Sequence, residues 1–274
     1  MPDWLTDFLG GFSINLANAV WNKAMGLISG MLATSPQAFS TGAWGFVENT
    51  LYPWALSIGV GMLNLFFIIA MLQAVSDFSH NITLEMTIEA LIKIVAANVI
   101  FLNLLRIIKL LFLAASLMAG DVFTLNAPDL IVEDMDLGSV LFYHLFGIFF
   151  VLAAVVCSFL MLLTVYGRYI RLYLLVVMAP FAVPALIGGR GVERSFYAWV
   201  KTFLLNAFEI VVIALVMAIS FQISSSGITI FDGHSMAASA VDGFWDALNA
   251  LFTMILMTAS VKGANSLLQR AFGL

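Results

Sequence analysis

Arg106, Lys109 and Glu209 stand inside long apolar stretches. Charges so placed can do two kinds of chemistry: neutralise one another across a helix contact, or offer a fixed field to a charged species in a hydrated cavity. Counting 100° per residue sets Asn98, Asn103, Arg106, Lys109 and Ser116 on one arc of about 140°, with Lys93 elsewhere, so one face of that segment is polar. A lipid-facing arginine at the centre of a span costs roughly 2.5 to 3.5 kcal/mol on insertion scales, and Arg106 is therefore expected to face the bundle interior or water. Glu209 is the carboxylate deep in another apolar run. An Arg106 or Lys109 to Glu209 ion pair and a basic stripe lining a cavity between subunits both remain open. One acid cannot neutralise two bases, so the two arrangements can coexist.

Enzymatic chemistry finds little support in the spacings. Gly188-Gly189-Arg190-Gly191 is glycine-rich but lacks the Lys-Ser/Thr of a phosphate-binding loop. His80, His144 and His234 fall in separate segments without metalloprotease spacing, and a histidine in a span reads first as hydrogen-bonded packing. No Gly-x-Ser-x-Gly element is present. Asp242 and Asp246 lie one turn apart, as an aspartyl protease pair would, but they read more simply as an N-cap and a first-turn carboxylate facing the helix dipole. Cys157 is the single cysteine, so an intrachain disulfide is ruled out. The sequence predicts neither catalysis nor a cofactor or metal.

The elements that must hold these residues follow from composition. The chain is 62% hydrophobic and 10% charged, with a mean hydropathy of +1.06; a soluble domain, at about 25% charge, is excluded. The opening Met1-Pro2-Asp3-Trp4 lacks the basic start of a cleaved signal, and residues 4–33 read as an interfacial amphipathic helix. Residues 1–50 are thus expected to be an extracytoplasmic or interfacial region and 51–274 the transmembrane domain. Charge-poor runs predict spans at 54–75, 91–120, 139–166, 202–223 and 244–261. A further apolar stretch, 172–189, contains Pro180 and Pro184 and is expected to be a broken or re-entrant element facing a cavity or a subunit contact. The fold class is therefore an all-α polytopic bundle of about five transmembrane helices plus this broken piece. Arg168, Arg171, Arg190, Arg194, Lys201, Lys262 and Arg270 sort to one face and the acidic 121–136 and 224–243 segments to the other. That sorting predicts the N-terminus outside and the C-terminus in the cytoplasm. The net charge of −5 says little about partners when charges are divided between two sides of a membrane.

Three stretches resemble the TrbL-type polytopic inner-membrane channel protein of conjugative type IV secretion systems, most closely its compact Gram-positive form. The similarity covers about residues 50–223. Its most specific piece is Tyr166-Gly167-Arg168-Tyr169-Ile170-Arg171-Leu172-Tyr173, running into Met178-Ala179-Pro180-Phe181-Ala182-Val183-Pro184-Ala185-Leu186 and then Ser195-Phe196-Tyr197-Ala198-Trp199-Val200-Lys201 and the Glu209 span. A second piece is Glu89-Ala90-Leu91-Ile92-Lys93 leading to Asn98 and Asn103. The resemblance implies a homo-oligomer in the cytoplasmic membrane, assembled with other channel subunits and with ATPases that supply the energy. Such an assembly supports passage of relaxase-bound single-stranded DNA. The short loop between the second and third spans departs from larger relatives and leaves little room for an external domain. A small-molecule secondary transporter, with its site at the broken helix, is the rival reading; no inverted repeat accompanies it.

Overall fold

Backbone in hydrocarbon has no water to bond, so a spanning segment must close its hydrogen bonds internally. The computed structural model describes residues 12–77, 84–122, 137–188, 191–225 and 239–271, and among them it is helical without strands. The helices are α1 (Phe12–Leu32), the short α2 (Pro36–Phe39) and α3 (Thr41–Phe46), a π-helical turn (Val47–Leu51), α4 (Tyr52–Asp77), α5 (Leu84–Val122), α6 (Leu137–Ala182), a 3-10 turn (Val183–Leu186), α7 (Glu193–Ser225) and α8 (Ser239–Ala271). Five segments are long and apolar enough to cross a membrane: Thr41–Leu72, Ile94–Val122, Gly147–Leu186, Glu193–Ile223 and Leu248–Ala271. The chain is an all-α multi-pass membrane protein.

The stretch expected as a separate broken element takes another form. Residues 172–182 are the last turns of α6, which runs on through Arg168, Arg171 and Pro180, and the break falls at Val183–Leu186 around Pro184. Proline removes one N–H and crowds the carbonyl a turn earlier. So near the helix end, that leaves the rest of the ladder intact. With 46 residues, α6 is about 69 Å long, more than twice a hydrocarbon core of roughly 30 Å. One continuous helix, and no re-entrant hairpin, brings Arg168 and Arg171 towards the same α6–α7 turn that Arg194 and Lys201 follow.

Contacts divide the chain into two compact units, to both of which α5, α6 and α7 contribute. The first comprises the described parts of Met1–Ala33, Leu117–Gly167 and Glu209–Leu274. Here α1 buries Ala17, Trp21, Ala24, Met25, Ile28 and Leu32 at helical spacing and exposes Asn22 and Lys23, the one-sided pattern the sequence predicts. Its start lies against α6, where a Cβ added at Gly147 would stand 2.5 Å from the Ser13 Cβ.

The second unit comprises Thr34–Ser116 and Arg168–Phe208. Trp44, Val47 and Tyr52 meet Phe101, Leu104, Ile108 and Phe112 of α5, Leu172, Val176 and Ala179 of α6, and Phe203 and Ala207 of α7 in one core. Lipid tails are as apolar as these side chains, so the gain is close packing more than removal from water. Ring geometry carries much of it. Phe39 stacks on Tyr169 at 3.9 Å, Trp199 on Phe203 at 5.3 Å, and Trp44 meets Phe112 edge-on at 6.2 Å. At Gly59 α4 crosses α6 so closely that a Cβ would stand 2.5 Å from the Pro180 carbonyl oxygen.

Candidate functional site

The charged residues of the second unit are positioned by three helices and by the α2–α3 segment that folds over them. Ser35 precedes a proline-led turn, and Ser40 caps α3 by accepting the Ala43 N–H at 3.3 Å. Tyr169 and Tyr173, one turn apart on α6, donate their hydroxyls to the Thr34 and Pro36 carbonyls at 3.0 and 2.8 Å. Gln37 Nε2 donates to the Lys109 carbonyl at 3.3 Å. The segment is thus tied to both α5 and α6.

That strap delivers the partner of Lys109. Lys109 Nζ pairs with Glu48 Oε1 at 2.5 Å, while Trp44 Nε1 donates to the other carboxylate oxygen at 2.5 Å. The ammonium also stands 5.9 Å from the Trp44 ring centroid, within cation–π range. Trp44 and Glu48 are one turn apart, so a single helical face presents an indole donor and an acid together. The pair is half-buried, its side chains 39% and 28% exposed. The expected Lys109–Glu209 pair is therefore corrected: Lys109 is taken by Glu48, and Glu209, fully buried on α7, belongs to the first unit.

The predicted polar arc on α5 consequently splits. The buried face carries Ala97, Phe101, Leu104, Ile108, Phe112 and Ser116, and Lys109 lies at its margin. Arg106, Asn103 and Asn98 point outward among exposed Val99, Leu102, Leu110 and Leu113. Asn98 and Asn103 each donate an amide N–H to the carbonyl one turn earlier, Ile94 and Val99, at 2.9 and 3.0 Å. Such back-bonding satisfies one donor and leaves the other polar atoms facing out. Arg106 makes no ion pair among the described residues.

Arg168 is the other unusual cation. It is 1% exposed, and its Nε and Nη2 donate to the Asn206 and Ala207 carbonyls of α7, both at 3.1 Å. Its guanidinium lies 5.2 Å from the Tyr169 ring centroid. The planar fork suits two successive carbonyls in a way a lysine would not. Arg171 is half-buried, and Pro180 and Pro184 are buried.

Contacts across the second unit fix the heights of these charges. Trp199 Nε1 donates to the Leu175 carbonyl at 3.1 Å, Phe112 lies 5.5 Å from Phe203, and Trp44 reaches both Phe112 and Tyr173. With α6 antiparallel to both α5 and α7, Arg106, Lys109, Glu48, Arg171, Arg194 and Lys201 fall within a band of about 14 Å along the helix axes. Arg106, near the middle of its apolar run in sequence, thus stands level with the charged start of α7.

No family model, curated protein or solved structure matches the chain. Among the described residues no cluster of His, Cys, Asp or Glu is placed to hold a metal ion. His80, His234, Arg190 and the acidic residues 129–136 lie outside the described residues, as do the side chains of Lys93, His144, Asp242 and Asp246. Cys157 is buried.

Glu48 and Trp44 are functional residues that the sequence analysis did not single out. The available signal was local: an indole and an acid spaced i, i+4 just before an apolar span.

Proposed function

We propose that the chain is a membrane channel subunit of a conjugative type IV secretion system, akin to the TrbL type, supporting translocation of relaxase-bound single-stranded DNA. In this reading it lies in the cytoplasmic membrane with its N-terminus outside and its C-terminus in the cytoplasm. It assembles with copies of itself, other channel subunits and partner ATPases. The observation that carries the reading is the outward line of Asn98, Asn103 and Arg106 on a membrane-spanning helix. Lipid is a poor solvent for such a face, and an assembly that turns it to water removes the penalty. Repeated around a ring of subunits, Arg106 supplies positive charge at intervals, which is all that sequence-independent attraction of a phosphate backbone needs. The continuous α6 supports the orientation, because Arg168, Arg171, Arg194 and Lys201 lie on the two helices that one turn joins, without a re-entrant hairpin.

The transporter reading loses its main ground, since it placed a binding site at a broken helix across 172–189 and α6 continues through most of that stretch. Conjugative transfer from donors carrying Arg106→Gln tests the channel reading. Transfer should fall at least about tenfold, a differential of roughly 1.4 kcal/mol, with membrane yield and oligomer mass unchanged. Normal transfer would remove Arg106 from the conduit, and normal transfer from a donor lacking the chain altogether would end the proposal.

A further inference from the structure

Lys109 stands between an acid and a second base. Measured from the centre of the buried α5 face, it lies about 90° round the helix, and Arg106, nearly one turn earlier, lies about 150° round on the same side. Glu48 reaches Lys109 from the inner side, since Trp44, which donates to that carboxylate, packs edge-on against Phe112 of the buried face. On the outer side Arg106 is exposed and makes no ion pair among the described residues. One carboxylate thus answers two cations spaced i, i+3, whose side chains are neighbours on the helix surface.

Little holds the Lys109–Glu48 pair shut. Its side chains are 39% and 28% exposed, and an ion pair this open to solvent biases its equilibrium by no more than about fivefold. Breaking it strands neither partner: the carboxylate keeps the Trp44 N–H, and the ammonium can turn towards Arg106 on its flexible stem. The strap need not leave either, because Tyr169 and Tyr173 hold the Thr34 and Pro36 carbonyls, and Gln37 holds that of Lys109, independently of the charges. Opening is therefore a movement of two side chains. With the ammonium turned outward, Arg106 and Lys109 present two like charges to one side, and an anion between them relieves their repulsion.

We propose that Glu48 is a resident anion which a phosphodiester group of the translocating single strand displaces from Lys109, so that Arg106 and Lys109 hold the phosphate together. A phosphodiester has two unbridged oxygens, one for each cation, and a fixed arginine beside a lysine that acts as a movable point charge suits the two roles. The exchange rests on the channel reading and gives it a regulated step: until a strand arrives, Lys109 is closed by Glu48 and Arg106 alone attracts. Because the channel reading turns this face to water, the phosphate is assigned to the strand and not to a lipid headgroup.

The test is binding of a fluorescent oligothymidylate to the full chain purified in detergent, followed by anisotropy at one fixed salt concentration. Glu48→Gln should lower the Kd about fivefold, because no pair has to be broken first. Lys109→Met should raise it about twofold, and adding Glu48→Gln to Lys109→Met should change it by less than about twofold, since the acid then has nothing to withhold. If the glutamine variant does not fold, Glu48→Asp, which draws the carboxylate back by one methylene, should still lower the Kd about twofold. A Glu48→Gln gain that persists in full on Lys109→Met comes only from removing a negative charge and overturns the exchange, as does the absence of a gain in the acid variants. If Glu48→Gln tightens binding of phosphatidylglycerol and not of the oligonucleotide, the phosphate belongs to a lipid and the assignment to the strand falls. Arg106→Gln separates this exchange from the channel reading. Binding weakened at least about tenfold in Arg106→Gln, with no coupling between Glu48 and Lys109, leaves the channel reading standing without the exchange. Normal binding by Arg106→Gln, or no binding by the parent, ends both.

Discussion

Two of the spans, nearly alike in hydropathy, relate to the rest of the chain in opposite ways. Thr41–Leu72, which contains α4, has 11% of its most apolar window buried, whereas Glu193–Ile223 on α7 has 50%. On α4, Trp54, Ile58, Leu65, Ile68 and Leu72 are exposed, and the helix seats on α6 through the close approach of Gly59. On α7, Phe203, Asn206, Ala207 and Glu209 turn inward, and two of its carbonyls are held by Arg168. In lipid, apolar surface gains little by contact with more apolar surface, so a helix is drawn into the bundle by its polar groups and by close backbone approach. Hydropathy says which segments cross; polar and small residues say which of them pack.

The comparison breaks most visibly at Arg168. Arg168→Ala should remove two charge-assisted hydrogen bonds to α7 and cost about 3 kcal/mol, read as a lower denaturation midpoint in detergent and a smaller folded yield. Arg168→Lys should recover only part, because an ammonium lacks the fork. A normal midpoint in Arg168→Ala would mean that α7 is held by its apolar contacts alone.

The α4 side can be probed by two glycines on the same helix. Gly59→Ala puts a methyl against the Pro180 carbonyl oxygen, and overpacking of this kind costs about 1 to 3 kcal/mol. Gly61 has nothing within 4 Å of an added Cβ. Gly61→Ala should therefore be neutral or stabilise by up to about 1 kcal/mol through helix propensity. Equal effects at the two positions would show that α4 is not seated where Gly59 meets Pro180.

A smaller effect is expected from the strap that leads into α4. A double-mutant cycle with Glu48→Gln and Lys109→Met should give a coupling of about 1 kcal/mol, discounted for the partial exposure of both side chains. A cycle pairing Lys109→Met with Glu209→Gln should give coupling near zero. Finding the coupling in the second cycle would reinstate the pairing suggested by sequence.

Most of the fold was legible because a long, charge-poor apolar run has few options in lipid. The runs at 54–75 and 91–120 became α4 and α5, and the run beginning at 202 forms the body of α7. Pro180 misled because the weight given to a proline depends on its distance from a helix end, and that end at Ala182 is set by packing against Gly59 and by Pro184. The polar arc on α5 was legible as a pattern but not as a site. Angular counting places Lys109 and Arg106 some 60° apart, and no count tells which of them a distant segment will cover. Height was equally hidden: the centre of an apolar run is a position in sequence, while the level of a charge depends on the register of three helices.

The π-helical turn at Val47–Leu51 has a mechanical corollary. A turn of this type spends more residues than an α-turn, so it acts as a phase shifter between α3 and α4: everything before it is rotated about the helix axis relative to everything after it. Trp44 thereby keeps its bearing on Lys109 and Tyr173 while Tyr52 and Ala55 keep theirs on the core. Shortening this turn by one residue would leave composition and hydropathy almost untouched, yet it would turn the strap and the span out of mesh, like a gear set one tooth off.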